Sequence, residues 1–233
     1  MLSSLSLLLQ NFPNDSGPIY KETIAGRLPV EPFNTFSNLI FLFIVIYFGR
    51  KVYKDYRNHR FLAFVLPVIA LSYVGGTIYH GTRSHEFWLK LDYLPILFLS
   101  LAAVFYFVYK WLDKWSSRIV LFLVMLGLFF GLRALPLPKG LQITLGYLII
   151  AATLIIPVLG FLVKTKWKNT TYVIVAFTVF FIAVLFRFLD KRIELDFFWM
   201  GTHWLWHLLG GVAVFFLILY IFKDKQQQAT GNA

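Results

Sequence analysis

Trp199–Phe222 reads WMGTHWLWHLLGGVAVFFLILYIF, 24 consecutive residues without a lysine, arginine, aspartate or glutamate. As a helix, such a run reaches across the hydrocarbon core of a bilayer, which takes about 20 apolar residues. Six further apolar stretches are long enough to do the same, near 34–53, 61–80, 91–111, 118–136, 142–163 and 171–189. The whole composition agrees. Of 233 residues, 59% are hydrophobic and only 14% charged, with 26 Phe, 12 Tyr and 7 Trp. Mean hydropathy is +0.71. A soluble domain of this size has too little interior for so much apolar surface, so lipid takes the excess. The sequence therefore predicts an all-α integral membrane protein, a seven-transmembrane-helix bundle over 31–223. An N-terminal outer segment, 1–30, precedes it, and a disordered cytoplasmic tail, 224–233, follows. The opening MLSSLSLLLQ has no basic n-region and no small-residue cleavage site, so it reads as a short lead-in rather than a signal peptide.

Charge sets the orientation. Seven helices place the termini on opposite sides. The C-terminal side gathers thirteen bases and three acids, five of those bases in the first loop (Arg50, Lys51, Lys54, Arg57 and Arg60). The other side has nine bases and eight acids, so the two sides carry +10 and +1 of the total +11. By the positive-inside rule the C-terminus is cytoplasmic and the N-terminus outside or lumenal. The net charge is thus a topology signal. No basic stripe interleaved with exposed aromatics suggests a nucleic-acid partner. The chain has no cysteine, which removes disulfides, thiolate metal sites and a thiol nucleophile.

On that topology the polar residues converge. Glu31, Asn34, Ser37 and Asn38 lie at the outer end of the first helix, His80 ends the second, and Asp92 sits in the first turn of the third. His203 and His207 occupy the early turns of the seventh. Ionisable groups inside spans are costly and face a cavity or a partner. His203 and His207, four residues apart, project from one helical face. With His80 they offer three nitrogens and an open fourth position, the catalytic pattern for zinc. Zinc acidifies water and polarises a carbonyl, and Asp92 is the nearby carboxylate suited to act as general base. A hydrogen-bonded core pair is the competing account of H-x-x-x-H. Haem ligation fits less well, because no facing set of axial ligands exists. His85 reads as a surface or pocket-rim residue and His59 as a solvated one. Asn34 and Asn38 share a face suited to hydrogen bonds between helices, and Arg133 and Arg187 read as snorkelling at helix ends.

EPFNTFSNLIFL at 31–42, the Tyr-His pair that ends the second helix, DYLP at 92–95 and HWLWH at 203–207 together resemble the alkaline ceramidases. They also resemble the wider CREST group of seven-helix membrane hydrolases, which includes the progestin and adipoQ receptors. The four motifs occur in order over nearly the whole chain. The resemblance implies zinc held by His80, His203 and His207, with Asp92 handling the proton. It implies an amide hydrolase acting on ceramide or a related membrane lipid, with the active site toward the non-cytoplasmic face. The ceramidase branch shares the orientation derived above, and the receptor branch is inverted. Ceramidase-like members place a serine four residues before the histidine of the second helix, where this chain has Gly76. Thr77, on nearly the same face, is the candidate hydroxyl for the developing oxyanion, with Ser72 a second choice. A calcium site is also implied, for which Glu22 (in YKE, 20–22) and Glu31 offer carboxylates, with Asp15 nearby. The alternatives are hydrolysis of another lipid amide or ester, a zinc-containing receptor or sensor of the adipoQ type, and a transporter. Neither acyl length nor oligomeric state is written in the sequence.

Overall fold

A computed structural model of the chain describes residues 13–136, 139–192, 194 and 196–231. The expectation for the first ten residues and that for the Arg133 side chain lie outside what it describes. Among the described residues the regular structure is helical, with no strand. We number the α-helices α1 Pro32–Ser37, α2 Leu39–Val52, α3 Arg60–Thr82, α4 Glu86–Trp111, α5 Trp115–Arg133, α6 Lys139–Lys164, α7 Thr170–Leu189 and α8 His203–Gly231. Short 3-10 turns occur at Tyr53–Asp55 and Asp196–Phe198. Helices α1 and α2 are two parts of one span, with a single break at Asn38.

Six spans are long and apolar enough to cross a membrane: α1 with α2, then α3, α4, α6, α7 and α8. The fourth predicted stretch, now α5, is apolar over the shorter range Trp115–Gly131. Packing separates it from the others. α2 contacts α3, α3 contacts α4, α4 contacts α6, and α6, α7 and α8 follow in turn until α8 closes the circuit on α1 and α2. α5 lies outside this ring, against α4 and α6. Its outward side carries exposed Ile119, Val120, Leu123, Val124 and Leu128. Similar side chains ring the molecule, among them Phe36, Phe98, Val163 and Ile174. In water so continuous an apolar surface would be a liability; in lipid it is the matched solvent face.

The core fills the end of the ring that carries the basic loops. Phe41, Ile44, Phe48, Leu62, Leu66, Phe107, Val158, Phe161 and Tyr220 pack there in one buried cluster. Prolines 67, 95 and 157 sit inside α3, α4 and α6. Membrane helices tolerate them because neighbouring groups satisfy the freed carbonyls.

Two boundaries differ from those read from the sequence. α4 begins at Glu86, not near 91, because the imidazole of His85 accepts a hydrogen bond from Phe87 N at 3.0 Å and caps the helix. Asp92 therefore stands in the second turn. α8 begins at His203, not at 199, and continues through Gly231 into the stretch expected to be a disordered tail. His59 also departs from its solvated reading. It is only 3% exposed and stacks on Phe222 with ring centroids 4.4 Å apart. Burial pushes its pKa below the usual value, with Asp55 opposing and Lys225 assisting.

Candidate metal centre

Three buried histidines meet at the end of the ring opposite that core. His80 lies in the last turn of α3, while His203 opens α8 and His207 follows one turn later. One nitrogen from each lies within 4.8 Å of the other two. Nε2 of His203 and Nε2 of His207 are 3.0 Å apart. The His80 ring centre is 4.7 Å from that of His207 and 5.5 Å from that of His203.

The surrounding hydrogen bonds decide which nitrogens are available. Asn38 commits its amide Nδ2 to the carbonyl of Asn34 at 2.9 Å, which turns its Oδ1 toward His207 Nδ1 at 3.2 Å. Facing an acceptor, Nδ1 carries the proton, so Nε2 presents a lone pair. Glu31 Oε2 lies 2.5 Å from His80 Nδ1, which assigns the same tautomer there. His80 Nε2 is buried and has no hydrogen-bond partner among the described residues. A buried imidazole lone pair without a donor is costly. A shared cation answers that cost, and the outer hydrogen bonds that usually accompany ligating histidines are present on His80 and His207, while His203 Nδ1 has no hydrogen-bond partner among the described residues and its ring is stacked on Tyr20. The donor set fits a metal.

The histidines are held by residues to which the sequence reading gave no part in this centre. Asp190, buried just beyond α7, accepts hydrogen bonds from Thr202 N at 2.8 Å and His203 N at 2.9 Å. Its carboxylate thus satisfies the first donors of α8 and fixes where that helix starts. The chain reaches it through Gly201, which has φ of 77° and no room for a Cβ beside the same carboxylate. Tyr20 stacks on the His203 ring at 3.8 Å. Lys21 N donates to the second oxygen of Asp190 at 3.2 Å. Residues 13–31 thereby cover the histidines, a role invisible in their composition. Asp190 is a lone acid after an apolar helix, and Tyr20 and Lys21 lie in the irregular segment ahead of α1, so no local spacing marks them.

Glu31 is the hub. It is fully buried, bonded to His80, to Arg83 Nη1 at 2.6 Å, to the Thr23 hydroxyl at 2.6 Å and to Asn34 Nδ2 at 3.2 Å. Glu22 instead takes the backbone donors of Phe33 and Asn34, at 2.9 and 2.7 Å, and starts α1. At the residues for which the resemblance implies calcium, the protein supplies its own donors. Glu22 and Glu31 spend their oxygens elsewhere, and the cation between Glu31 and Asp15 is the Arg83 guanidinium. Among the described residues only His80, His203 and His207 form a metal-ready group.

Asp92 reaches the centre through Gly76. A Cβ on Gly76 would stand 2.5 Å from Asp92 Oδ1 and 2.9 Å from Asn38 Oδ1. The space of a serine side chain is thus filled by the Asp92 carboxylate and the Asn38 amide. Gly75 beside it lets the backbones of α3 and α4 touch, since a Cβ there would meet Leu91 and Asp92 main-chain atoms. Thr77 Oγ1 is buried with no partner among the described residues, whereas Ser72 donates to the Asp92 carbonyl at 2.8 Å. Of the supporting residues, Asn34 and Asn38 join the site. Ser37 does not; it donates to the Asn34 carbonyl and lines an outward groove. Arg187 does not snorkel into solvent but lies over the rings of Tyr147 and Trp206, at 5.0 and 6.0 Å. Against known protein families and curated proteins the chain finds no match, neither a family model nor a curated sequence.

Proposed function

We propose that the protein is a zinc-dependent hydrolase of a membrane lipid amide, of the ceramidase type. The observation that carries this reading is the His80–His203–His207 group, with the Nε2 lone pairs of His80 and His207 set by Glu31 and Asn38. A bound zinc ion supplies Lewis acidity, acidifying water and polarising the amide carbonyl. The chain's own residues do the rest. The three imidazoles would hold the ion. Asp92, against Gly76, takes the proton from water and returns it to the leaving amine. Thr77 offers a hydroxyl to the developing oxyanion. The products are a fatty acid and a free amine.

A lipid substrate is supported by where the histidines sit. Outside α1 and α8 runs an apolar groove of about 470 Å³, lined by Pro32, Phe33, Phe36, Ser37, Trp204 and Leu208. Phe33 and Trp204 adjoin Asn34 and His203 in sequence, so the groove lies on the outward side of the same two helices that carry those residues. The charge asymmetry further supports an orientation with the histidine end on the non-cytoplasmic face.

The test is metal content and turnover together. Detergent-purified wild type should carry one zinc per chain by plasma mass spectrometry, and folded His207→Ala should lose it. Ceramide and matched lipid amides and esters should then be screened with the zinc-loaded protein. Absence of metal after chelator-free purification would overturn the mechanism. Metal without turnover of any lipid amide or ester would move the reading to a zinc-containing receptor.

A further inference from the structure

Arg83 is the residue where α3 ends, and its backbone is left-handed, with φ of 47° and ψ of 35°. Glycine is the residue this helix-terminal position favours, because any side chain there carries strain. An arginine is kept against that preference, and its contacts show what it does. The side chain is fully buried. Nε and Nη2 form a two-pronged pair with Asp15, at 2.8 and 2.6 Å. Nη1 donates to Glu31 Oε1 at 2.6 Å and to the Pro18 carbonyl at 3.2 Å, while Nη2 also reaches the Gly17 carbonyl at 3.4 Å. The Tyr79 ring lies 4.8 Å beneath it. On its other oxygen, Glu31 meets His80 Nδ1. One continuous line of charged bonds thus runs Asp15–Arg83–Glu31–His80 and ends on a metal ligand.

We propose that Arg83 is a positioning residue for the metal centre: the chain's own buried cation, which clamps Glu31 against His80 and fastens the 13–31 segment over the histidines. It occupies the place that a second, exogenous cation would otherwise need to fill. This inference rests on reading the three histidines as metal ligands. The geometry requires a guanidinium. Two carboxylates and two carbonyls approach it from several directions, and only a planar fork with five donors meets them together. Without it, Asp15 and Glu31 are buried acids that no longer share a cation. Glu31 then loses the bond that aims its second oxygen at His80. The Asn14 N–H bonded to the Arg83 carbonyl, at 2.9 Å, ties the same segment to the same residue through the backbone.

The experiment compares wild type, Arg83→Gly and Arg83→Lys in detergent. Glycine relaxes the left-handed backbone, so a defect in that variant comes from the lost side chain. Zinc affinity is read by competition with a chromophoric chelator, and ligand geometry by the visible absorption of cobalt-substituted protein. Helicity and monodispersity control for folding. Arg83→Gly should bind zinc about 10–100-fold more weakly, the usual cost of losing an outer partner of a ligand. Its cobalt spectrum should shift, and added guanidinium ion should restore both. Arg83→Lys should fall between, without response to guanidinium. Calcium added to wild type should change nothing. If Arg83→Gly does not fold, Asp15→Asn, which loosens the clamp and touches no ligand, should weaken zinc binding in the same direction. Wild-type zinc affinity and spectrum in the folded variants would overturn the proposal alone. A loss that guanidinium leaves uncorrected would reduce Arg83 to a structural residue, and a zinc affinity that calcium raises in wild type would also overturn it. A wild type without zinc would overturn the hydrolase reading as well.

Discussion

Asp92 and the three histidines have different roles in the proposed reaction, so their substitutions should separate. Asp92→Asn keeps the shape of the side chain beside Gly76 and removes its basicity. Zinc content should stay at the wild-type level while hydrolysis falls about 10²–10⁴-fold, the range of general base catalysis. A turnover assay on zinc-quantified protein checks this, and an active Asp92→Asn would remove the residue from the mechanism. Gly76→Ser asks the converse question. Supplying the serine of the resembled family should not raise hydrolysis, because its Cβ collides with Asp92 and Asn38. Overpacking of this kind costs about 1–3 kcal/mol. Thermal unfolding in detergent should show the loss, and displacement of Asn38 from His207 should lower zinc retention.

At the scale of the element, α8 depends on a carboxylate that belongs to the end of α7. Asp190→Ala strips Thr202 and His203 of their acceptor and should cost about 0.5–2 kcal/mol, as other helix caps do. The start of α8 then frays where the first ligand sits. Weaker zinc binding should accompany the lower melting temperature, and an unchanged affinity would show that Asp190 serves the helix only. The far end of the ring offers a pH signature. His59 is buried against Phe222, with Asp55 4.0 Å away and its pKa depressed mainly by burial. A folded pKa below the unfolded one means that the unfolded chain binds the proton more readily. Stability is therefore complete above about pH 6.5 and declines as pH falls through the window below it. His59→Phe preserves the stack and should flatten that decline in a series of thermal melts.

For the whole molecule, the closed ring of six spans with α5 outside it explains how so apolar a chain holds a polar site. Each ring helix turns one face to lipid and one to its neighbours, and the polar residues gather where the neighbours meet. Orientation in the membrane has a direct test, because the chain contains no cysteine to confuse labelling. Asn14→Cys at the histidine end and Lys54→Cys at the basic end are both exposed positions. On intact cells a membrane-impermeant maleimide should label the first, and the second only after permeabilisation. The reverse pattern would place the histidines at the cytoplasmic face.

The sequence by itself determined the solvent and picked out the three histidines that meet. Apolar runs of span length identify helices in lipid because backbone groups there must bond within their own segment, a local requirement legible residue by residue. The i, i+4 pair His203 and His207 is likewise local, and His80 follows once the spans are counted. Tertiary structure decided everything that depends on neighbours distant in sequence. It placed Arg83 between Asp15 and Glu31, where the family resemblance implied calcium. It brought Asp190 to the start of α8, buried His59 against Phe222, and put the Asp92 carboxylate in the space that Gly76 leaves open. These partners are joined by charge and shape across stretches of chain longer than a helical turn. No spacing rule encodes such contacts, because their energy arises only when the helices pack.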